Sequence, residues 1–225
     1  MKVLFATSEL APWVKTGGLG DVAGALPAAL RALGHDVRVL VPAYPALLRA
    51  FPDALEIARP HWLGGLLPTP GLRQALASDG TPLLLLDYRH YFDRPGNPYL
   101  GPEGRDWLDN HLRFGLLSRV AAWLGSEAST LDWVPDIIHC NDWQTGMAPA
   151  YLAYRAERRA KSLVTIRNLA FQGLFDHAAL FELGLPDEAW NMNGVEFYGH
   201  LSFLKAGLQH ATAISTVSPS YAREI

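Results

Sequence analysis

Cysteine is almost missing from this sequence, since Cys140 is the only one among its 225 residues. A single thiol excludes an internal disulfide and offers no cysteine cluster for a metal, so we expect a cytoplasmic protein. The sequence also has no large excess of positive or negative residues, because 19 lysines and arginines against 22 acidic residues give a net charge of −3. Without a basic run, nucleic acid is not expected as a partner.

Long hydrophobic runs are also missing. No apolar stretch approaches the roughly 18 residues that a membrane-spanning helix requires, and we expect no membrane partner. The first residues do not resemble a signal peptide, because the apolar run after Lys2 is short and Ser8-Glu9 interrupts it. The composition that remains, 49% hydrophobic and 18% charged, is enough to bury the core of one large α/β domain over residues 1–225.

The most informative stretch is Lys15-Thr16-Gly17-Gly18-Leu19-Gly20-Asp21. It follows a predicted strand at residues 3–6 and precedes a helical pattern that Gly34 ends. The apolar face of that helix is predicted to hold Val22, Leu26, Leu30 and Leu33. A strand, a glycine loop and a helix N-terminus can bind an anion, and Lys15 adds a charge suited to phosphate. The alternative is a plain turn with a solvated lysine.

Strands and helices alternate along the rest of the chain, which predicts a mainly parallel, doubly wound α/β sheet. The predicted strands are 37–41, 83–86, 137–140, 163–166 and 213–217, with short ones possible at 55–58 and 73–77. Residues 88–104 are predicted to form a long loop. The predicted helices are an amphipathic one at 108–124, 145–158, 200–210 and a last one from Ser218 to Ile225. Because that last helix is short and uncapped, we expect a longer natural protein.

Polar and aromatic side chains follow the predicted strands where each one ends, and open α/β sheets bind ligands at that edge. In chain order they are Glu9, Lys15, Gly17, Gly18, Asp21, Arg94, Tyr99, Asn141, Asp142, Trp143, Gln144 and residues 167–173. Carboxylates and amides can hold hydroxyls and aromatic rings can stack on sugars, so this set suits a phosphorylated sugar. Each residue also has an ordinary explanation: core packing for Trp143, a helix N-cap for Asp142, a buried hydrogen bond for His139.

Several motifs in order resemble one family. The glycine loop, together with segments 91–99, 141–143, 168–173, 202–207 and 216–225, is similar to the bacterial glycogen synthases and plant starch synthases of glycosyltransferase family 5. The resemblance covers residues 1–225. It implies the GT-B arrangement, two Rossmann-like domains facing a cleft, with this chain as the N-terminal, acceptor-side domain. It also implies transfer of glucose from ADP-glucose to an α-1,4-glucan with retention, without a metal or cofactor.

The resemblance also implies roles for particular residues. Lys15 would contact the donor diphosphate, with the backbone of Gly17 and Gly18 beside it, and would neutralise charge on the leaving group. The other implied substrate-binding residues are Asp142 and Asn168 for sugar hydroxyls, Tyr99 and Trp143 for the shape of the glucan pocket, and Asp21 for the order of the loop. No catalytic residue is assigned in this chain, and nothing in the sequence indicates an oligomeric state.

The chain departs from the family pattern at two places. Arg167 stands where the family usually has a histidine near the transferred glucose, and arginine is always charged and can only donate hydrogen bonds. This leaves two interpretations, an impaired or divergent enzyme, or an arginine that turns toward the diphosphate. Asn141 and Gln144 also replace frequent histidines, which affects the fine geometry of the acceptor site.

Two other function classes remain as alternatives. Gly18-Leu19-Gly20-Asp21-Val22-Ala23 fits a loose dinucleotide-binding pattern, but about ten residues separate it from the strand and no acid follows the second strand. A non-catalytic glucan-binding module is compatible with seven tryptophans, eight tyrosines and Arg167. Because the family's donor pocket lies in a second domain, we expect these 225 residues alone to transfer no glucose.

Overall fold

A computed structural model of the chain describes residues 1–61, 63–155 and 160–225. The strands in chain order are β1 (Lys2–Ala6), β2 (Asp36–Pro42), β3 (Leu55–Ala58), β4 (Gly71–Leu76), β5 (Pro82–Asp87), β6 (Ile137–Asn141), β7 (Lys161–Ile166), β8 (Leu174–Phe175), β9 (Glu196–Phe197), β10 (His200–Ser202) and β11 (Ala213–Thr216). Eight of them form one sheet in the order β11-β7-β6-β1-β2-β5-β4-β3. The strands from β11 to β5 are parallel, and β4 and β3 are antiparallel additions at one edge.

This topology confirms the predicted doubly wound, mainly parallel, Rossmann-like sheet. The central strands are apolar throughout because helices cover both faces: in β5, Leu83 to Leu86 are at most 1% exposed. From β1 the chain first moves to β2 on one side and later returns to β6 on the other. The carboxyl ends of β1 and β6 therefore border the crevice where the strand order reverses, the usual ligand site of such sheets.

The α-helices are α1 (Gly18–Ala32), α2 (Pro45–Ala50), α3 (Arg89–Phe92), α4 (Asn110–Leu124), α5 (Ala148–Arg155), α6 (Ala179–Glu182), α7 (Phe203–His210) and α8 (Tyr221–Glu224). Right-handed crossovers place α1 on one face of the sheet and α5 and α7 on the other, because the chain winds outward in opposite directions. Helix α4 packs against α5 and against β1 and β2. Across the described residues, none of the helices is long and apolar enough to span a bilayer.

Several predicted helices have different bounds or surroundings in the structure. Helix α4 begins at Asn110, and Leu108 outside it is 97% exposed. The helix is buried on almost every side rather than amphipathic, because it lies between the sheet and the segment around Leu183. In α1 the buried residues are Leu19, Gly20, Ala23 and Pro27, while Leu33 lies at the C-cap and is exposed.

Two other helix predictions were too long. Residues 145–147 lie in and after a short 3-10 helix, Trp143–Thr145, and α5 begins at Ala148. Residues 156–158 of that prediction lie outside the described residues. The predicted helix at 200–210 begins only at Phe203, because His200–Ser202 forms strand β10 of a small antiparallel sheet, β8-β10-β9. That small sheet was not predicted, since its strands have only two or three residues each.

Candidate functional site

The glycine loop, residues 15–20, joins the region after β1 to helix α1 at the edge where the strand order reverses. The Glu9 side chain, 2% exposed, lies beneath it. Its carboxylate accepts hydrogen bonds from the Thr16 amide at 2.8 Å, the Thr16 hydroxyl at 2.6 Å and the Gly17 amide at 3.3 Å. A buried acceptor with three donors from one loop fixes the backbone of that loop in place.

Gly17 and Gly18 have open space where a side chain would be. A Cβ atom at either position would meet no described atom within 4 Å, so packing within the chain does not require glycine there. Gly17 is the N-cap of α1, and among the described residues no side chain caps this helix. The Gly17 amide itself donates to Glu9, and the N-terminus of this 15-residue helix favours a negatively charged group.

Lys15 lies at the entrance of the loop. Its Nζ forms an ion pair of 2.7 Å with Asp21 Oδ2, and both side chains are about half exposed. Gly20 lies against the aliphatic part of Lys15, because a Cβ atom at Gly20 would come within 3.1 Å of the Lys15 Cβ and Cγ atoms. An exposed pair of this kind adds little to stability, and Lys15 is free to exchange Asp21 for an anion.

Tyr99 supports the loop from below. Its hydroxyl donates to Glu9 Oε1 at 2.5 Å and lies 2.9 Å from the Ser8 hydroxyl. Burial, with the negative charge of Glu9 nearby, raises the pKa of the Tyr99 phenol well above its ordinary value. Tyr99 is therefore a neutral donor that holds Glu9, and its contact joins the 93–100 loop to the glycine loop.

Arg94, on the same loop as Tyr99, has different partners. It forms a bidentate pair with Asp109, with both N–O distances at 2.7 Å, and its guanidinium lies 4.9 Å from the centre of the Trp107 ring. Arg94 thus fastens its own loop to the start of helix α4.

Asp142 follows β6 and has an unusual backbone. Its φ of 56° is a left-handed conformation that non-glycine residues rarely adopt, and such strain is concentrated at functional sites. Its Oδ1 accepts a hydrogen bond from the Arg167 amide at 2.8 Å, which joins the loops after β6 and β7. Burial raises the pKa of the Asp142 carboxyl, against the lowering effect of the Arg167 bond and charge.

Trp143 is only 9% exposed and belongs to a packed group that we call the Trp143 cluster: Phe114, Trp143, Gly173, Phe175 and Phe203. The ring centres of the three phenylalanines lie 5.1 to 5.9 Å from that of Trp143. The ordinary explanation of core packing therefore holds for most of the Trp143 ring. Nearby, Gln144 Oε1 is buried and has no hydrogen-bond partner among the described residues.

Asn168 is exposed, and its Oδ1 accepts from the Ala170 amide at 3.0 Å in a local turn. His139 is a buried residue of β6, as expected, with Nε2 2.7 Å from the Thr165 hydroxyl. Burial, and secondarily the charge of Arg167, lowers the pKa of His139 to about 4, so its imidazole is neutral. Among the described residues no group of histidines, cysteines and acids could hold a metal ion.

The structure thus brings the glycine loop, Asp142, Arg167 and Asn168 to one edge, on the loops after β1, β6 and β7. Tyr99 and Trp143 lie beneath that edge. The residue whose role the sequence did not reveal is Glu9, which was only one polar residue among several after β1. Its position before a glycine loop was a signal, but its partners became evident only in the fold.

The chain is similar to several known proteins. One family, described as "Starch synthase catalytic domain", matches residues 2–225. The chain is 62% identical over 227 residues to a glycogen synthase of Dechloromonas aromatica and 52% identical over 227 residues to one of Nitrosomonas europaea. Each alignment covers 100% of this chain and 46% of the relative. The chain therefore spans about half the length of these curated relatives.

A solved structure is also similar. The catalytic domain of starch synthase IV from Arabidopsis thaliana, bound to ADP and acarbose, superposes with a TM-score of 0.79 at 26% sequence identity. The superposition covers 99% of this chain and 46% of that chain.

Proposed function

The chain belongs to the family of starch synthase catalytic domains, and on that premise we propose that it is the N-terminal, acceptor-side half of a glycogen synthase with a GT-B arrangement. The complete protein would transfer glucose from ADP-glucose to the non-reducing end of an α-1,4-glucan, with retention at the anomeric carbon. It would act in the cytoplasm, without a metal or cofactor.

The observation that carries the proposal is the glycine loop, which Glu9 holds rigidly while leaving the positions beside Gly17 and Gly18 open. An anionic ligand at the N-terminus of α1 would have Lys15 beside it. The similar starch synthase structure was obtained with ADP and acarbose, which are a nucleoside diphosphate and a glucan-like sugar.

In the proposed reaction, negative charge develops on the diphosphate as its bond to glucose breaks. Lys15 would leave Asp21 and neutralise that charge, and the N-terminus of α1 at Gly17 and Gly18 would add the fixed dipole of the helix. A rigid loop matters here, because dipoles that are already oriented need no rearrangement during the reaction. Asp142 and Asn168 would hold sugar hydroxyls, Asp21 would order the loop, and Tyr99 and Trp143 would shape the pocket from below.

These 225 residues would lack the donor half of the site, so we expect them to be inactive alone. The test incubates the full-length gene product and the 225-residue chain separately with ADP-glucose and a maltooligosaccharide primer, and follows primer length by chromatography. Elongation with α-1,4 linkages by the full-length protein only is the expected result. If the full-length protein binds glucan without elongating it, the non-catalytic glucan-binding module is correct instead.

A further inference from the structure

Asn141 and Arg167 lie on neighbouring strands and contact each other. Asn141 is the last residue of β6, Arg167 directly follows β7, and Arg167 Nη2 donates to Asn141 Oδ1 at 2.8 Å. The sequence suggested two separate departures from a family pattern at these positions. In the structure they form one pair at the edge of the sheet that carries the glycine loop.

Asn141 determines the direction of this contact. Its side chain is fully buried, and its Nδ2 donates to the carbonyl oxygens of Ala6 at 3.0 Å and His139 at 3.3 Å. In an amide only the nitrogen donates, and both of these carbonyl contacts use it. The Oδ1 atom therefore faces position 167, where it needs a donor. Arginine carries only donors, and Asn141 therefore fixes both the place and the orientation of the guanidinium.

The rest of the guanidinium has unused donors. Arg167 Nε is buried without a partner, and Nη1 donates no hydrogen bond to any residue in the described part of the chain. The Arg167 backbone amide, not its guanidinium, makes the bond to Asp142. A half-buried cation held on one side, with free donors on the other, gains strongly from an anionic oxygen.

We propose that Arg167, held in place by Asn141, is an anion-binding residue of this site and takes a diphosphate oxygen of the nucleotide sugar. The identity of that ligand rests on the proposed function. Arg167 and Lys15 follow β7 and β1, the two strands on either side of β6, so the cations approach the crevice from opposite sides. Asn141 is a positioning residue, which acts only through Arg167.

The test measures the dissociation constant of ADP by calorimetry on the full-length protein and on Asn141→Ala, Arg167→Ala and the double variant. Loss of a charged hydrogen bond weakens binding on the order of 10- to 100-fold, so Arg167→Ala should lose that much. Asn141→Ala should lose about tenfold, and the double variant should bind like Arg167→Ala, because the two residues act as one. Arg59→Ala, which removes an exposed arginine paired with Glu56, is the control and should bind normally.

Two further variants separate orientation from charge. Arg167→Lys keeps the charge but replaces the planar fork of donors by one ammonium on a flexible stem, and Arg167→Gln keeps a donor for Asn141 but no charge. Both should weaken ADP binding by about tenfold or more while the melting temperature stays near that of the wild type. These two variants also test the proposal if Asn141→Ala fails to fold.

The failure of this inference differs from the failure of the proposed function. If the wild-type protein binds ADP but Arg167→Ala binds it equally well, the inference alone is overturned. The same holds if the losses of the two single variants multiply in the double variant. A wild-type protein with no affinity for ADP and no glucose transfer overturns both.

Discussion

The glycine loop and the Trp143 cluster lie at the same edge of the sheet, yet they contain glycine for opposite reasons. At Gly18 an added Cβ atom would meet no described atom within 4 Å, whereas at Gly173 it would lie 2.4 Å from the Trp143 ring. Gly173 also has a φ of 60°, which a side chain disfavours. Gly18 leaves open space beside the loop, and Gly173 lets the protein pack on itself.

This difference separates function from stability within one site. The loop is held by hydrogen bonds to a single buried carboxylate and keeps its surface open, whereas the cluster excludes solvent through ring contacts. Changes in the glycine loop, the open region, should therefore alter activity with little effect on stability. Changes in the Trp143 cluster, the closed region, should lower stability with less effect on activity. Four predictions test this contrast, from the largest expected effect to the smallest.

Lys15→Ala in the full-length protein should lower kcat on the order of 10²- to 10³-fold, because charge on the leaving diphosphate loses its partner. The melting temperature should stay unchanged, since the exposed pair with Asp21 contributes little to stability. Glucose transfer and thermal unfolding are measured on the same preparation, with Lys161→Ala, an exposed lysine at the start of β7, as the control. A large fall in melting temperature would contradict the separation.

Lower pH should destabilise the chain through strand β6, which is buried like the Trp143 cluster and contains His139. His139 has a pKa of about 4 in the folded chain against 6.5 as its ordinary value, so the unfolded chain binds a proton first as pH falls. This contribution to stability is complete above pH 6.5 and is lost between pH 6.5 and 4, up to about 3 kcal/mol. Urea unfolding at several pH values measures it, and His139→Gln should show a shallower dependence. Equal slopes for both proteins would show that His139 does not titrate this way.

Gly173→Ala should destabilise the chain by roughly 1–3 kcal/mol, because its methyl group would overlap the Trp143 ring and its backbone would be strained. The midpoint of urea unfolding gives this value. Reduced near-ultraviolet circular dichroism from Trp143 would accompany it. If this variant were as stable as the wild type, the Trp143 cluster would have to rearrange without a loss in the free energy of unfolding.

Gly18→Ala is the matched substitution in the open region. It should change stability by less than about 1 kcal/mol, and in the stabilising direction, because alanine is favoured in a helix and the site is empty. If the diphosphate binds beside Gly18, as proposed, the added methyl group should raise the KM for ADP-glucose. An unchanged KM would show that the diphosphate does not approach Gly18.

Much of the architecture followed from local patterns. Continuous apolar runs predicted the parallel strands, and the glycine loop with its helix was predicted from a few adjacent residues, because backbone conformation depends mostly on near neighbours. The β8-β10-β9 sheet was missed because strands of two or three residues have no periodicity, and the full burial of α4 was missed because its outer face is covered by a distant segment.

Sequence patterns alone were enough to predict the sheet, its winding and the edge at which polar residues gather. Which of those residues keep open surface and which hold others in place depends on the folded chain. Glu9 and Tyr99 are 90 residues apart, and Asn141 and Arg167 are 26 apart, so their contacts depend on strand register and side-chain direction. Those quantities are set by packing across the whole sheet, which no local stretch of sequence encodes.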